Sequence, residues 1–278
     1  MKFFQKKTAI LAAVLAAGLA CQLFGGAQNT QGKPRNPVLT VLYDHYSFQD
    51  GCAADWGFAA LIEGPAKTIL YDTGTKDGIL LKNVGALNID LGQVDLVFIS
   101  HDHNDHSGGL QAVLQKKSGI PVYVPSGSYA EFQSQIREKG GQVVTVKEAQ
   151  TFFPGVQSTG DLGGVSYGEA IHEQALILDT PQGLVVVTGC AHPGIVRILE
   201  KAKEVGKKDI GMVLGGFHLV QMPTAEVEKI IARFKELGVK RVGATHCTGD
   251  AAIGLFRKAF GADFVEMGVG RKIELGAR

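Results

Sequence analysis

The stretch SHDHNDHSGGL, Ser100 to Leu110, sets three histidines and two aspartates within six positions, directly behind the apolar run LVFI. His101 and His103 are two apart, so on an extended segment both imidazoles turn toward one ion. Asp105 continues that spacing. His106 follows where the chain turns into a helix, which lets it face a second ion beside the first. Two divalent ions ~3.5–4 Å apart share a hydroxide, lower the pKa of bound water to about 7 and polarise the bond under attack. Ser107-Gly108-Gly109 then forms a tight turn with little bulk near a substrate. A solvated loop with incidental histidines explains a lone imidazole far better than three beside a carboxylate.

Such side chains need a rigid frame. Extended, β-branched runs are predicted at Val38–Tyr43, Phe58–Ile62, Thr68–Tyr71, Leu96–Ile99, Val122–Val124, Val143–Val146, Ala175–Leu178, Leu184–Val187, Ile210–Leu214 and Arg241–Ala244. Helical patterns fall at Gly108–Lys117, Tyr129–Lys139, Gly194–Val205, Thr224–Leu237 and Ala251–Phe260, with Gly140, Gly206, Gly238 and Gly261 as closing residues. A strand meander followed by alternating strands and helices predicts an α/β core with helices outside. The unusual residues collect after strands: Asp72 after TILY, His101 after LVFIS, Cys190 and His192 after LVVVTG, His218 after MVLGGF and His246 after RVGAT. Loops held by a sheet are where binding groups converge.

The 278 residues suit one catalytic domain, and Lys+Arg 28 against Asp+Glu 27 points away from nucleic acid as a partner and toward a small-molecule substrate. Residues 1–27 have the layout of an export signal, with Lys2, Lys6 and Lys7 before an apolar run from Thr8 to Ala20. That run is shorter than the ~20 residues a membrane-crossing helix needs. The expectation is an exported, periplasmic protein, cut after Ala27 or lipidated at Cys21, with a polar linker over 28–37 and the catalytic domain over 38–278. Lipidation is the weaker ending, because Gly18 stands where a lipoprotein signal usually has Leu. Cys52, Cys190 and Cys247 then remain, an odd count that argues against a disulfide framework. TGTKDG lacks P-loop spacing, and no GxGxxG opens a helix after a strand.

HDHNDH, His101 to His106, resembles the HxHxDH signature of the metallo-β-lactamase superfamily. ILYDTG with Asp72, TGCAHPG after a strand pair and ATHCTG with His246 fall in the order that family expects. WGFAALIEG, GCAHPGIV and GGFHL look most like the branch named after dihydropterin–ribofuranosylaminobenzene-phosphate synthase. The resemblance implies a four-layer αββα sandwich of two mixed sheets flanked by helices. It also implies two divalent metal ions, zinc first and iron or manganese as alternatives. His101 and His103 would hold the first ion, with His192 as the remaining ligand; Asp105, His106 and His246 would hold the second. His192 precedes Pro193, a favoured first residue of a helix. His172 in AIHEQAL is an outside candidate for the first site and, like His45, is otherwise read as structural.

One departure stands out. The superfamily's hydrolases usually carry a bridging aspartate after that TG, where this chain has Cys190. A thiolate ligand, a substrate contact and a small buried residue are all open, with a packed, non-ligating Cys190 favoured. Asp72 resembles the acidic residue that supports the site by hydrogen bonding, a role compatible with an Asx-turn in DTG. His218, behind Gly215-Gly216-Phe217, is assigned to substrate contact or proton transfer, and Trp56 and Phe58 to a pocket wall or the core. The leading expectation is a binuclear hydrolase that turns a metal-bound hydroxide on an ester-type or phosphoester-type small molecule. A dihydropterin-type transferase and a non-catalytic metal- or ligand-binding protein are the alternatives.

Overall fold

The computed structural model describes residues 36–64, 66–166 and 168–276. The export signal, Cys21 and nearly all of the linker lie outside the described residues. In chain order the elements are β1 (Val38–Tyr43), β2 (Ala59–Glu63), β3 (Thr68–Tyr71), α1 (Asp77–Ala86), β4 (Leu96–Phe98), α2 (Asn104–Ser107), α3 (Leu110–Lys116) and β5 (Pro121–Pro125). Next come α4 (Ala130–Glu138), β6 (Gln142–Val146), β7 (Gln150–Phe153), β8 (Val156–Ser158), β9 (Leu162–Ser166), β10 (Glu169–Glu173), β11 (Leu176–Thr180) and β12 (Gly183–Thr188). The last are α5 (Ile195–Gly206), β13 (Ile210–Gly216), α6 (Thr224–Glu236), β14 (Arg241–Thr245), α7 (Asp250–Phe260) and β15 (Lys272–Glu274).

Two mixed sheets form the centre, one in the order β15-β1-β2-β3-β4-β5-β6 and the other β14-β13-β12-β11-β8-β7, with β9–β10 as a separate hairpin. Strand alternation creates the layers. Ile69 and Tyr71 of β3, Leu96 and Phe98 of β4, and Val185 and Val187 of β12 meet between the sheets. The alternate residues Leu70 and Val97 join Leu80 of α1 and Val113 of α3 outside one sheet, whereas Leu184 and Val186 join Ile198 of α5 and Phe234 of α6 outside the other. The expected four-layer αββα sandwich is therefore the observed fold.

Register brings the functional loops to one level. Tyr71 pairs with Phe98, so Asp72 and the HDHNDH loop leave adjacent parallel strands together. Thr188 pairs with Gly215 and Gly216 with Thr245, which aligns the exits of β12, β13 and β14. Two glycines permit the close approach: a Cβ on Gly189 would lie 2.1 Å from Ser100 Oγ, and one on Gly216 would lie 2.3 Å from the Gly189 carbonyl oxygen.

The sequence pattern missed β7 to β10, β15, α1 and α2, and Asp105 lies on the helical turn of α2 and not on an extended segment. QTFF, LGGVS and EAIHE are short, polar or glycine-rich, and their faces are partly exposed, so they carry little alternation. Two local expectations need correction. Gly206 is the last residue of α5, and the left-handed closing residue is Lys207. Pro193 is not the first helical residue; it lies in a turn ahead of Gly194, and α5 begins at Ile195.

Candidate metal centre

The loops after β3, β4, β12, β13 and β14 converge on one cluster. Donor atoms of Asp105, His106, Cys190 and His246 all lie within 4.8 Å of one another, as do those of His101, Cys190 and His192, and those of Cys190, His218 and Cys247. His103 is outside these donor groups, but its ring packs edge-on at 4.7 Å from that of His101 and 5.0 Å from that of His192. The ring of His218 is 4.4 Å from that of His192. His172 does not join: its Nδ1 lies 2.8 Å from Asp161 Oδ1, and its side chain is 43% exposed. Along β10 successive residues point to opposite faces, so it is Glu173 that turns inward.

The backbone is strained where these side chains are aimed. Asp72, Ala191, His218 and His246 all have positive φ, at 53°, 64°, 52° and 51°. Such conformations cost roughly 1–3 kcal/mol each outside glycine and persist where the surroundings enforce them.

Several supports escaped the sequence reading. Glu173 Oε1 accepts from the backbone N–H of Cys190 at 3.0 Å and of Ala191 at 2.7 Å; its Oε2 accepts from the N–H of His192 and stands 2.9 Å from His192 Nδ1. Ser100 donates through its hydroxyl to Asp72 and lies 2.8 Å from His101 Nδ1. Thr245 donates to the buried Asp44 at 2.6 Å just before His246. The only signal for Glu173 is a charge at the end of a strand, beside the histidine that drew attention instead. Asp72 lies behind the same cluster: its Oδ2 is 2.7 Å from His106 Nδ1, and its Oδ1 accepts from Ser100 N–H.

The electrostatics pull the imidazoles of the cluster in opposite directions. Burial works to strip His106 of its proton, but Asp105 and Asp72 prevail and push its pKa up to about 9. Burial also resists ionisation of Asp105, yet His106 and His246 hold it well below the usual carboxylate range. His101, fully buried among other imidazoles, is driven far down and stays neutral, as a ligand must. His218 is raised, first by its hydrogen bond to Cys247 and against burial.

A divalent cation fits this arrangement. His101 Nε2 and both ring nitrogens of His246 are buried without a hydrogen-bond partner, a costly condition unless another group engages them. His246 Nε2 comes within 3.3 Å of Asp105 Oδ2, which sets an orphaned nitrogen beside a carboxylate oxygen. Cys190 is buried, and its sulfur, 3.2 Å from His106 Nε2, also belongs to all three donor groups. A set of imidazole, carboxylate and thiol suits zinc and disfavours magnesium or calcium.

Comparison with known proteins agrees with this geometry. The sequence profile of the Metallo-beta-lactamase superfamily matches residues 57–195. The 7,8-dihydropterin-6-methyl-4-(beta-D-ribofuranosyl)-aminobenzene-5'-phosphate synthase of Methanocaldococcus jannaschii is 28% identical over 281 aligned positions, covering 85% of this chain and 96% of the relative. A solved metal-dependent hydrolase of the beta-lactamase superfamily is 32% identical, with a TM-score of 0.72 over 87% of this chain and 100% of its own. The metallo-beta-lactamase fold protein YhfI from Bacillus subtilis shares the fold at 16% identity and a TM-score of 0.62, over 86% of this chain and 99% of its own.

Proposed function

This chain belongs to the metallo-beta-lactamase superfamily, and from that premise we propose that it is a binuclear, zinc-dependent hydrolase of a small ester-type or phosphoester-type substrate. The observation that carries the reading is the meeting of two donor clusters through one sulfur, with buried imidazole nitrogens left unpaired. His101, His103 and His192 would hold one cation and Asp105, His106 and His246 the other, with the Cys190 sulfur within reach of both donor groups. Two cations there would acidify a water to make a nucleophile at neutral pH and neutralise charge developing on the substrate oxygen.

The chain's own residues do the rest. Asp72 and Glu173 keep His106 and His192 turned inward, because an imidazole facing a carboxylate holds its proton on that side and offers the other nitrogen. His218, half-buried with a raised pKa, is the group suited to protonate a leaving oxygen. A cleft of about 100 Å³ opens beside His103 and is lined by Asp102, Tyr129, Ser166 and Glu169. Its two acidic residues repel an anionic group on that flank, which supports a neutral ester over a phosphoester there.

A panel of p-nitrophenyl esters, thioesters, lactones and phosphoesters tests the reaction, with His103→Ala as control. Turnover by the parent protein that disappears in the variant is the expected result; turnover that survives unchanged removes the centre from the chemistry. The similarity to a synthase favours a second reading, in which the same centre promotes group transfer. Product formed from a pterin diphosphate and an aminobenzene ribofuranosyl phosphate, with no ester hydrolysis, would establish that alternative. The leader-like opening supports export to the periplasm, which mass spectrometry of the mature N-terminus would test by distinguishing Gln28 from a lipidated Cys21.

A further inference from the structure

In the segment DWGFA, two aromatic residues precede β2, and they part company. Phe58 is fully buried, whereas Trp56 is 43% exposed. Burial of apolar area does not explain why an indole is held there, since much of that area remains in water. Its polar edge does. Trp56 Nε1–H donates to Asp105 Oδ2 at 2.9 Å, and the same oxygen stands 3.3 Å from His246 Nε2 and 3.6 Å from His106 Nε2. A carboxylate oxygen offers two lone pairs, so the indole takes one and leaves the other facing the imidazoles.

The loop that carries Trp56 is fastened to the same aspartate. Phe58 N–H donates to the Asp105 carbonyl at 3.1 Å, and Thr75 Oγ donates to the Trp56 carbonyl. Gly57, at φ +141°, has no room for a side chain: a Cβ would lie 2.6 Å from the Asp105 carbonyl oxygen. Asp105 is thus gripped by the Trp56 side chain and the Phe58 main chain, with Gly57 packed close between them. The indole ring also rests 4.8 Å from the ring of His246, between solvent and the cluster.

We propose that Trp56 is a positioning residue for the second cation, fixing the Asp105 carboxylate through the indole N–H. An indole nitrogen can only donate, so it orients the carboxylate without competing as a ligand. The proposal rests on the metal-centre reading above, and its test reads metal binding rather than turnover.

Zinc affinity is measured by competition with a chromogenic chelator on the parent protein, Trp56→Phe and Asp105→Asn. Trp56→Phe is expected to weaken one of two zinc ions by tenfold to a hundredfold, the loss typical of removing a hydrogen-bond partner of a ligand. The other ion keeps its affinity. Trp56 is also the single tryptophan of the chain. Emission of the parent protein should therefore change with the zinc equivalent that Asp105→Asn abolishes, a signal that stands even if Trp56→Phe folds poorly. Wild-type affinity at both sites in a folded Trp56→Phe, or emission indifferent to both equivalents, overturns the role of Trp56 alone. A parent protein that binds no zinc overturns the metal-centre reading and this proposal with it.

Discussion

Two fully buried carboxylates stand behind the histidine cluster, and they work differently. Asp72, at the exit of β3, engages the N–H and hydroxyl of Ser100 and the ring of His106, so it mainly orients side chains. Glu173, at the end of β10, collects three successive backbone N–H groups, those of Cys190, Ala191 and His192, together with the His192 ring. It shapes a turn. Burial pushes both carboxyls upward; in Asp72 burial prevails over His106 and Ser100 and the pKa is raised, whereas in Glu173 the His192 ring and the backbone donors outweigh it and the pKa is lowered. Equal burial gives opposite shifts because donors, and not depth alone, determine the cost of a buried charge.

The sharpest way to break this contrast is Glu173→Ala. It strands three backbone N–H groups and an imidazole, and should lower unfolding free energy in urea by about 3–5 kcal/mol, since each buried polar group left unpaired costs about 1–3 kcal/mol. A loss below about 1 kcal/mol would show that the turn stands without its carboxylate.

Asp72→Asn should act mainly on the metal. The amide keeps an oxygen for Ser100 N–H but does not favour the same proton position on His106, so zinc affinity should drop by about tenfold to a hundredfold while stability changes by about 1–3 kcal/mol. Equal effects on affinity and folding from the two carboxylates would erase the division of labour.

The smallest effect is expected far from the site. Glu266 is ion-paired to Arg257 at 2.6 Å, but both side chains are about half exposed, at 53% and 51%. Glu266→Gln should cost about 0.5 kcal/mol or less, because water screens an exposed pair. Its carboxyl is lowered chiefly by the hydrogen bond from Arg257, so this contribution is present above the ordinary carboxylate range and fades as pH falls through the lowered value. Urea midpoints of parent and variant should therefore differ slightly near neutrality and converge in acid.

What was legible in the sequence follows from distance along the chain. HDHNDH is local, and its two-residue spacing states the chemistry before any fold is known. The buried runs of β1, β3, β12 and β13 were equally plain, since strands covered on both faces are continuously apolar. Glu173 was not, because its partners lie 17 to 19 residues onward and are backbone groups that leave no mark on residue type. Nor was the role of Trp56, which depends on a bond to a residue 49 positions away.

Residue order alone determined the ligand chemistry, the alternating faces and the family signature, all of which are written in types and short spacings. Only the tertiary structure decided that Cys190 joins the donor groups, that His172 stays out, and which carboxylates stand behind the imidazoles. Those outcomes depend on the register of strands and on backbone N–H groups brought together at one sheet edge. Neither can be read from side-chain identity, because every residue but proline carries the same donor.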